Sequence, residues 1–231
     1  MLYEQWIPVW LENYIQPASK KRTYIRYWEI ARQHIIPRLG ELELSEITPS
    51  VLQPYVTELL KNGNRRTGGG LAANSVNSII SVIQGTLKTA YLIGILDEYV
   101  GDKIKRPRTV QRRIECFSLD EQKKLERNVL NSDSARMFGV VLTLYTGLRI
   151  GELLALEWSD IDTQKSEICV NKTCYYGKDS EGDFCRITDS PKTESSMRTI
   201  PLPKQLIKPL RELKKKAARY TSYRTAKILC R

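Results

Sequence analysis

The most regular stretch of the sequence is residues 73–93, where apolar side chains recur with the spacing of one helix face. This spacing predicts an amphipathic helix that packs an apolar stripe into a core. The stripe consists of Val76, Ile79, Ile80, Ile83, Leu87, Ala90 and Tyr91, and the opposite face carries Asn74, Asn77, Ser78, Ser81, Gln84 and Lys88. The second face has short hydrogen-bonding side chains and almost no acids. It is typical either of a solvated surface or of a face that contacts DNA phosphates and base edges.

Weaker patterns predict the remaining elements. Earlier helices are expected over residues 3–14, over 19–34 and from Pro49 to about Lys61, with Thr48 as an N-cap and a chain break at Pro37 and Gly40. The second half begins with a capping box of Ser118 and Glu121. Helices are then expected over 119–131, 134–145, 149–157 and 204–220, strands over 167–173, 184–188 and 196–202, and a polar turn at 179–183. The fold is therefore predicted to be mainly α, with a small antiparallel β-sheet in its second half.

A basic stretch without apolar periodicity separates the two halves. Lys103, Lys105, Arg106 and Arg108 are followed closely by a further pair of arginines at 112 and 113. The composition predicts a linker over residues 102–116, between one domain at 1–101 and another at 117–231. A linker of this charge could follow a phosphate backbone.

The charge balance limits the classes of partner. Lysine and arginine number 37 against 26 aspartates and glutamates in 231 residues, which gives a net charge of +11. So large an excess predicts an anionic partner, most commonly nucleic acid. No apolar stretch approaches the ~20 residues that cross a bilayer, and the N-terminus lacks the pattern of a signal peptide. We expect a cytoplasmic, nucleoid-associated protein without a membrane partner.

The cysteines and the single histidine do not favour a metal site. The five cysteines are Cys116, Cys169, Cys174, Cys185 and Cys230. Their number is odd and none are spaced Cys-x-x-Cys. The middle three are close enough in sequence to suggest zinc, but no histidine accompanies them and their spacing is not that of a usual zinc site. We therefore favour plain thiols in a reduced compartment and predict neither metal nor cofactor.

Arg149 and Glu152 form the most informative pair in the sequence. Arg149 follows a Thr-Gly-Leu turn and opens an apolar helix, and Glu152 lies three residues later on the same face. The guanidinium fork can donate two parallel hydrogen bonds to phosphate oxygens, and a helix start favours the same anion. From spacing alone, a phosphate-holding pair and an ordinary surface ion pair at a helix start are equally good interpretations. Histidine could assist Arg149 only if folding brought His34, the one histidine, beside it.

Taken together, the motifs resemble those of the tyrosine recombinase, or phage integrase, family. In the first half the resemblance is carried by Thr23-Tyr24, residues 35–40, Ile47-Thr48 and residues 71–91. In the second half it is carried by residues 117–121, by the first-arginine box at 145–152 with 156–162 after it, and by Pro191-Lys192-Thr193 with Ser196, Arg198 and residues 200–202. The resemblance covers nearly the whole chain and keeps the family's order. It implies a helical SAM-like core-binding domain followed by a partial catalytic domain.

The resemblance also implies a reaction and its residues. In this family a tyrosine attacks a DNA phosphodiester to form a 3′-phosphotyrosyl link, the 5′-hydroxyl leaves, and a partner strand's 5′-hydroxyl reverses the step without ATP or metal. Arg149 would hold the phosphate, Glu152 would support Arg149, and Lys192 would protonate the leaving oxygen. The implied partner is double-stranded DNA at an attachment or recombination site, and the full-length form would assemble on it as a homo-oligomer. The candidate DNA-binding residues are Lys20, Lys21, Arg22, Asn74, Asn77, Ser81, Lys88, Lys105 and Arg106.

The sequence departs from the family pattern after Leu202. No His-x-x-Arg box follows, and we interpret Tyr220 and Tyr223 as ordinary residues of the tail. We therefore expect a C-terminally truncated recombinase that binds DNA without cutting it, or a DNA-binding competitor at attachment sites. The third hypothesis is an unrelated helical protein with a basic surface. A shortened core is also expected to expose apolar faces, including those of Leu153, Leu156 and Trp158.

Overall fold

The computed structural model describes residues 1–111, 113–131, 135–178, 184–190 and 196–218. The chain divides into two compact units, Met1–Arg113 and Ile114–Arg231, and each has its own hydrophobic core. The division falls inside the stretch predicted to be a linker. The fold is mainly α with small antiparallel sheets, as the sequence predicts. None of the helices in the described ranges is both long and apolar enough to span a bilayer.

The first unit is built from helices and short connecting turns. Its α-helices are α1 (Tyr3–Trp10), α2 (Lys21–Ile30), α3 (Ile36–Leu39), α4 (Pro49–Asn62) and α5 (Ala73–Leu92), with π-helical turns at Leu11–Ile15 and Ala31–Ile35 and 3₁₀ turns at Leu44–Glu46 and Gly101–Lys103. The four predicted helices are confirmed in approximate extent, and the short helix α3 was not predicted. Thr48 does precede α4, but its hydroxyl pairs with Ser50 Oγ (2.7 Å) rather than with a backbone amide of the helix.

Pro37 does not break the chain, and that prediction is wrong. The π-helical turn before it runs directly into α3, which contains Pro37 and ends at Leu39. Proline has no backbone N–H, so it cannot bond the carbonyl of Gln33 four residues back. Arg65 supplies that missing donor, because its Nη1 lies 3.1 Å from the Gln33 oxygen. The carbonyl oxygen that Pro37 leaves without a backbone donor is thus satisfied, and the helix continues to Leu39, with Gly40 as its C-cap.

The core of the first unit joins α1 to α5. The indole and phenol of α1 meet α5 at Thr86, where Tyr3 Oη lies 2.5 Å from the hydroxyl and Trp6 Nε1 donates to the carbonyl at 3.1 Å. Trp10 Nε1 donates to Thr89 Oγ1 at 2.9 Å. The apolar stripe of α5 is buried as predicted, except that Tyr91 is 43% exposed. The buried hydrogen bonds from Tyr3 and Trp6 to Thr86 fix the register of α1 on α5.

The second unit combines helices with two small antiparallel sheets. Its elements are α6 (Leu119–Leu130), α7 (Ala135–Thr146), α8 (Ile150–Ala155), a 3₁₀ turn (Trp158–Asp160), β1 (Ile161–Asp162), β2 (Glu167–Val170), β3 (Thr173–Lys178), β4 (Phe184–Asp189), β5 (Arg198–Pro201) and α9 (Lys204–Ala218). Strands β1, β2 and β5 form one sheet in that order, and β3 pairs with β4. The capping box is confirmed, since Ser118 and Glu121 bond reciprocally at the start of α6.

Two details of the second unit differ from the prediction. The single strand expected over 167–173 is two strands, with β2 ending at Val170 and β3 beginning at Thr173, and the short strand β1 was not foreseen. The expectation of exposed apolar faces is wrong for the residues it named. Leu153, Leu156 and Trp158 are buried in the second core, where they pack with residues of α7, β2 and α9.

Candidate active site and DNA-binding surface

The turn between α7 and α8 places Arg149 at the start of α8. Gly147 adopts a left-handed backbone (φ +64°) just after α7, a conformation that glycine takes without strain. Leu148 is buried in the core and anchors the turn. Arg149 then has an extended backbone, and its carbonyl accepts from Leu153 N at 2.9 Å to begin the helix. The turn therefore fixes the Arg149 backbone while its side chain remains 74% exposed.

Glu152 is the centre of the polar contacts at this helix start. Its side chain is only 7% exposed. One carboxylate oxygen accepts from the Arg149 backbone N–H at 2.9 Å and the other from Arg149 Nη1 at 3.0 Å. The predicted support of Arg149 by Glu152 is thus present in the geometry, and it is a capping interaction as well as an ion pair.

Arg198 also binds Glu152, although it is not among the site residues predicted from the sequence. From the first position of β5, Arg198 Nη1 donates to Glu152 Oε1 at 3.0 Å and Nη2 donates to Oε2 at 2.8 Å, a bidentate pair. Its side chain is 31% exposed. Two features pointed to Arg198 only indirectly. It lies in the motif that follows Lys192, and a buried glutamate whose one partner is an exposed arginine needs a second cation to compensate its charge.

Two arginines on one carboxylate give this site its electrostatic character. The hydrogen bonds from Arg198, followed by those from Arg149, outweigh the effect of burial and lower the pKa of Glu152 to about 2. The carboxylate in turn raises the pKa of Arg198. Glu152 is therefore charged at neutral pH. The carboxylate and the two guanidinium groups together carry one excess positive charge, and the guanidinium of Arg149 is the exposed one.

Gly151 allows α8 to pack closely against β3. A Cβ atom at this position would lie 2.5 Å from Thr173 Oγ1 and 3.0 Å from the carbonyl oxygen of Cys174. Both distances are shorter than ordinary contacts between such atoms. The glycine between Arg149 and Glu152 is therefore required by the approach of the helix to the strand.

A second ion cluster joins the β2–β3 connection to residues at the 3₁₀ turn after α8. Lys172 Nζ contacts Glu157 Oε2 at 2.8 Å and Asp160 Oδ2 at 3.1 Å, and all three residues are partly buried. Burial acts to lower the pKa of Lys172, but the two carboxylates outweigh it and raise that pKa. The cluster holds the 3₁₀ turn after α8 to the strands, and its lysine is engaged within the fold.

The first unit brings two basic segments onto the polar face of α5. Arg26 of α2 donates to Ser78 Oγ at 3.1 Å. On the same face, Arg106 donates to Asn77 O (3.2 Å), Ser81 Oγ (3.1 Å) and Gln84 Oε1 (2.5 Å). The first part of the predicted linker is therefore docked on α5. The sequence prediction placed Ser78 and Gln84 on the polar face of α5 and selected Arg106, but it did not include Arg26. Nor did it predict the contacts that join Arg106 to this face, because these residues lie far apart along the chain.

The other predicted DNA-binding residues lie in three places. Lys21 and Arg22 form the exposed first turn of α2 directly after Lys20, at a helix end whose dipole disfavours cations. On α5, Asn74 and Lys88 are exposed, whereas the Asn77 amide donates to Pro107 O at 3.1 Å. The backbone of Lys105 bonds Gln53, and its side chain is exposed. The structure therefore groups Asn74, Asn77, Ser81, Lys88 and Arg106 on one face, and their contact with DNA stays a prediction.

Comparisons with known proteins agree with these motifs. The sequence model of the phage integrase N-terminal SAM-like domain matches residues 2–60, and that of the phage integrase family matches residues 118–228. A "tyrosine recombinase XerC-like" protein of Caldanaerobacter subterraneus subsp. tengcongensis is 29% identical over 88% of this chain and 52% of its own length. The chain belongs to the tyrosine recombinase, or phage integrase, family.

Other integrases show the same extent of similarity. The ICEBs1 integrase of Bacillus subtilis is 28% identical over 85% of this chain and 50% of its own length. In fold, the chain is similar to the Tn1549 transposon integrase, whose structure was determined with a circular intermediate DNA, with a TM-score of 0.78 at 16% identity over 98% of this chain and 69% of that one. The integrase-family chain spans about half the length of the curated relatives that it matches.

Several predicted positions of this integrase-family chain lie outside the described residues. These are Lys192, Tyr220, Tyr223, Cys230 and the polar turn at 179–183. His34 lies in the first unit, where burial and the charge of Arg65 lower its pKa. Within the described ranges no three metal-binding side chains come together, and Cys116, Cys169, Cys174 and Cys185 are free thiols.

Proposed function

We propose that this chain acts in site-specific DNA recombination or integration of a mobile element, as the part of an integrase that binds duplex DNA and holds a scissile phosphodiester. One observation carries the proposal: Glu152 is shared by two arginines, and Arg149 is the exposed one. The backbone N–H and Nη1 of Arg149 are held by Glu152, and the rest of its exposed guanidinium can bind a phosphate in a bidentate manner.

The chemistry of strand exchange requires such a group. Nucleophilic attack on a phosphodiester spreads negative charge over the non-bridging oxygens, and a fixed cation stabilises that charge most when it needs no reorganisation. Arg149 would provide this cation, with Glu152 fixing its direction. Lys192 would act as the general acid on the leaving oxygen, as the family resemblance implies.

The first unit would supply much of the affinity for duplex DNA. The polar face of α5, the first turn of α2 and Arg106 together offer amides, hydroxyls and cations, which are the groups that bind phosphates and base edges. A protein of this kind would act at the nucleoid, and the full-length form would assemble on its site as a homo-oligomer.

DNA binding by this chain is expected to depend steeply on salt. The logarithm of the binding constant for a duplex should fall with the logarithm of salt concentration with a slope of about −3 or steeper, because bound cations release counterions. Arg149→Ala should weaken binding about three- to tenfold and reduce the slope by about 1. Fluorescence anisotropy of a labelled duplex across a salt series measures both.

The matched control is Arg127→Ala, which removes the same charge from α6 in the second unit. An equal loss in the two variants would mean that Arg149 acts only through net charge, and the phosphate-holding role would be rejected. Binding that is weak and insensitive to salt would contradict the duplex-binding role proposed for this chain.

The second candidate function is DNA binding without strand cleavage by this chain alone. It is favoured by the histidine count: the one histidine of the sequence, His34, belongs to the first unit, whereas Arg149 belongs to the second. A nicked suicide substrate that contains the element's attachment site separates the two functions. A covalent protein–DNA band would overturn the second candidate, and specific binding without that band would support it.

Arg106 is expected to contribute to DNA affinity more than its neighbour Lys103. Arg106 is fixed on the polar face of α5 by three acceptors, whereas Lys103 is paired with Glu98 at 2.5 Å and adds little net charge. Arg106→Ala should weaken duplex binding about three- to tenfold, and Lys103→Ala less than twofold. Equal effects of the two changes in the same anisotropy measurement would show that this face is not a DNA contact.

A further inference from the structure

We propose that Arg198 is a positioning residue, which engages Glu152 so that Arg149 stays free to bind a phosphate. The proposal rests on the function proposed for Arg149 and adds a residue to it. The juxtaposition is plain in the geometry: one buried carboxylate lies between a well-held arginine from β5 and an exposed arginine at the start of α8.

The two arginines use the carboxylate unequally. Arg198 bonds both carboxylate oxygens with both of its Nη atoms, at 3.0 and 2.8 Å, whereas the side chain of Arg149 reaches one oxygen through Nη1 alone. Within the described part of the chain, the Nε and Nη2 groups of Arg149 have no protein acceptor. Arg149 therefore keeps two donors for a ligand while its first donor fixes its direction.

Arg198 cannot itself leave to bind a ligand as easily as Arg149 can. Strand β5 pairs with β2 in a fixed register, with Arg198 opposite Val170, and Arg198 Nη1 also lies 3.3 Å from the Ser196 carbonyl oxygen. Its side chain is less than half as exposed as that of Arg149. The strand thus fixes one arginine and the helix start presents the other.

Removal of Arg198 would change what Glu152 does. An arginine at position i and a glutamate at position i+3 can close into their own bidentate pair, in which the arginine's charge is neutralised and its fork is occupied. With Arg198 present, the carboxylate is already compensated and cannot neutralise Arg149 as well. The excess positive charge of the cluster is therefore a consequence of Arg198, although Arg149 displays it.

The test uses the whole chain and inorganic phosphate as the probe. Five variants are compared with the parent chain: Arg198→Met, Arg198→Lys, Glu152→Gln, the double variant R198M/E152Q, and Arg149→Ala. Phosphate binding is followed through the Arg149 Nε–Hε resonance in nuclear magnetic resonance spectra, or through backbone amides of α8 in the Arg149→Ala variant. The pKa of Glu152 is measured in parallel from its carboxyl carbon.

Arg198→Met is expected to weaken phosphate binding about three- to tenfold and to raise the pKa of Glu152. In R198M/E152Q the affinity should rise above that of Arg198→Met without reaching the parental value, because the neutral amide no longer neutralises Arg149 but fixes its direction less firmly than the carboxylate. A merely structural role of Arg198 predicts no such recovery. Arg198→Lys keeps the charge but not the fork, and it should bind phosphate with an affinity between those of the parent chain and Arg198→Met. If Arg198→Met fails to fold, Arg198→Lys tests the role of Arg198 in its place.

The outcomes separate this proposal from the proposed function. If Arg149→Ala binds phosphate as tightly as the parent, the phosphate-holding role of Arg149 fails. If Arg149→Ala loses binding but Arg198→Met or Arg198→Lys does not, only the role of Arg198 is overturned. A loss in Arg198→Met that Glu152→Gln cannot restore would likewise reject it.

Discussion

Replacement of Glu152 by alanine is expected to lower the free energy of unfolding of the second unit by about 3 kcal/mol. The carboxylate is buried and accepts four hydrogen bonds, from the backbone and side chain of Arg149 and from both Nη atoms of Arg198. Its loss leaves two guanidinium groups facing each other and an uncapped helix start. Hydrogen exchange resolved by peptide measures the effect, because it reports on each unit separately.

The matched control is Glu121→Ala. Glu121 makes the same reciprocal capping contact with Ser118, at the start of α6, but it is exposed, and no arginine among the described residues bonds its carboxylate. The same chemical change should therefore alter protection of the second unit far less there. Equal losses in the two variants would show that Glu152 acts only as a helix cap and that its ion pairs contribute little.

The pH dependence of stability provides a second measurement on the same group. The folded pKa of Glu152 is about 2, below its ordinary value of 4.5, so the folded state favours the charged form. The stabilisation is fully present above pH 4.5 and is lost as the pH falls from 4.5 towards 2. Glu152→Gln should flatten that part of the stability profile, and an unchanged profile would contradict the assigned pKa.

Local sequence signals predicted much of the fold because local interactions determine those elements. The stripe of α5 is buried because its spacing matches the helix period, and the Ser118–Glu121 box forms within four residues. Pro37 shows the limit of such rules, since it lies inside a helical path. The donor that compensates its missing N–H comes from Arg65, which no local pattern around Pro37 reveals.

The candidate site was half predictable for a similar reason. Arg149 and Glu152 lie three residues apart on a helix start, so their contact follows from helix geometry. Arg198 reaches the same carboxylate from 46 residues away, and only the pairing of β5 with β2 brings it there. Likewise, the linker's charge predicted an anionic partner, but the docking of Arg106 on α5 depends on how the chain returns over that helix.

Gly151→Ala is expected to destabilise the second unit by about 2 kcal/mol, although alanine is the better helix former at an open position. The new Cβ would lie 2.5 Å from Thr173 Oγ1 and 3.0 Å from the Cys174 carbonyl oxygen, so α8 must move away from β3. The helix carries Arg149 and Glu152 at its start, and we expect phosphate binding to weaken with it. Denaturant unfolding and the phosphate titration measure the two effects.

Thr173→Ala provides the control, because it removes the nearer of the two obstructing atoms and leaves the backbone oxygen in place. In the double variant most of the loss caused by Gly151→Ala should disappear, since a 3.0 Å contact can relax by a small shift of the helix. Simple addition of the two single effects would mean that the glycine is needed for its backbone alone. Recovery of both stability and phosphate binding would show that the closeness of α8 to β3 is what holds Arg149 and Glu152 in position.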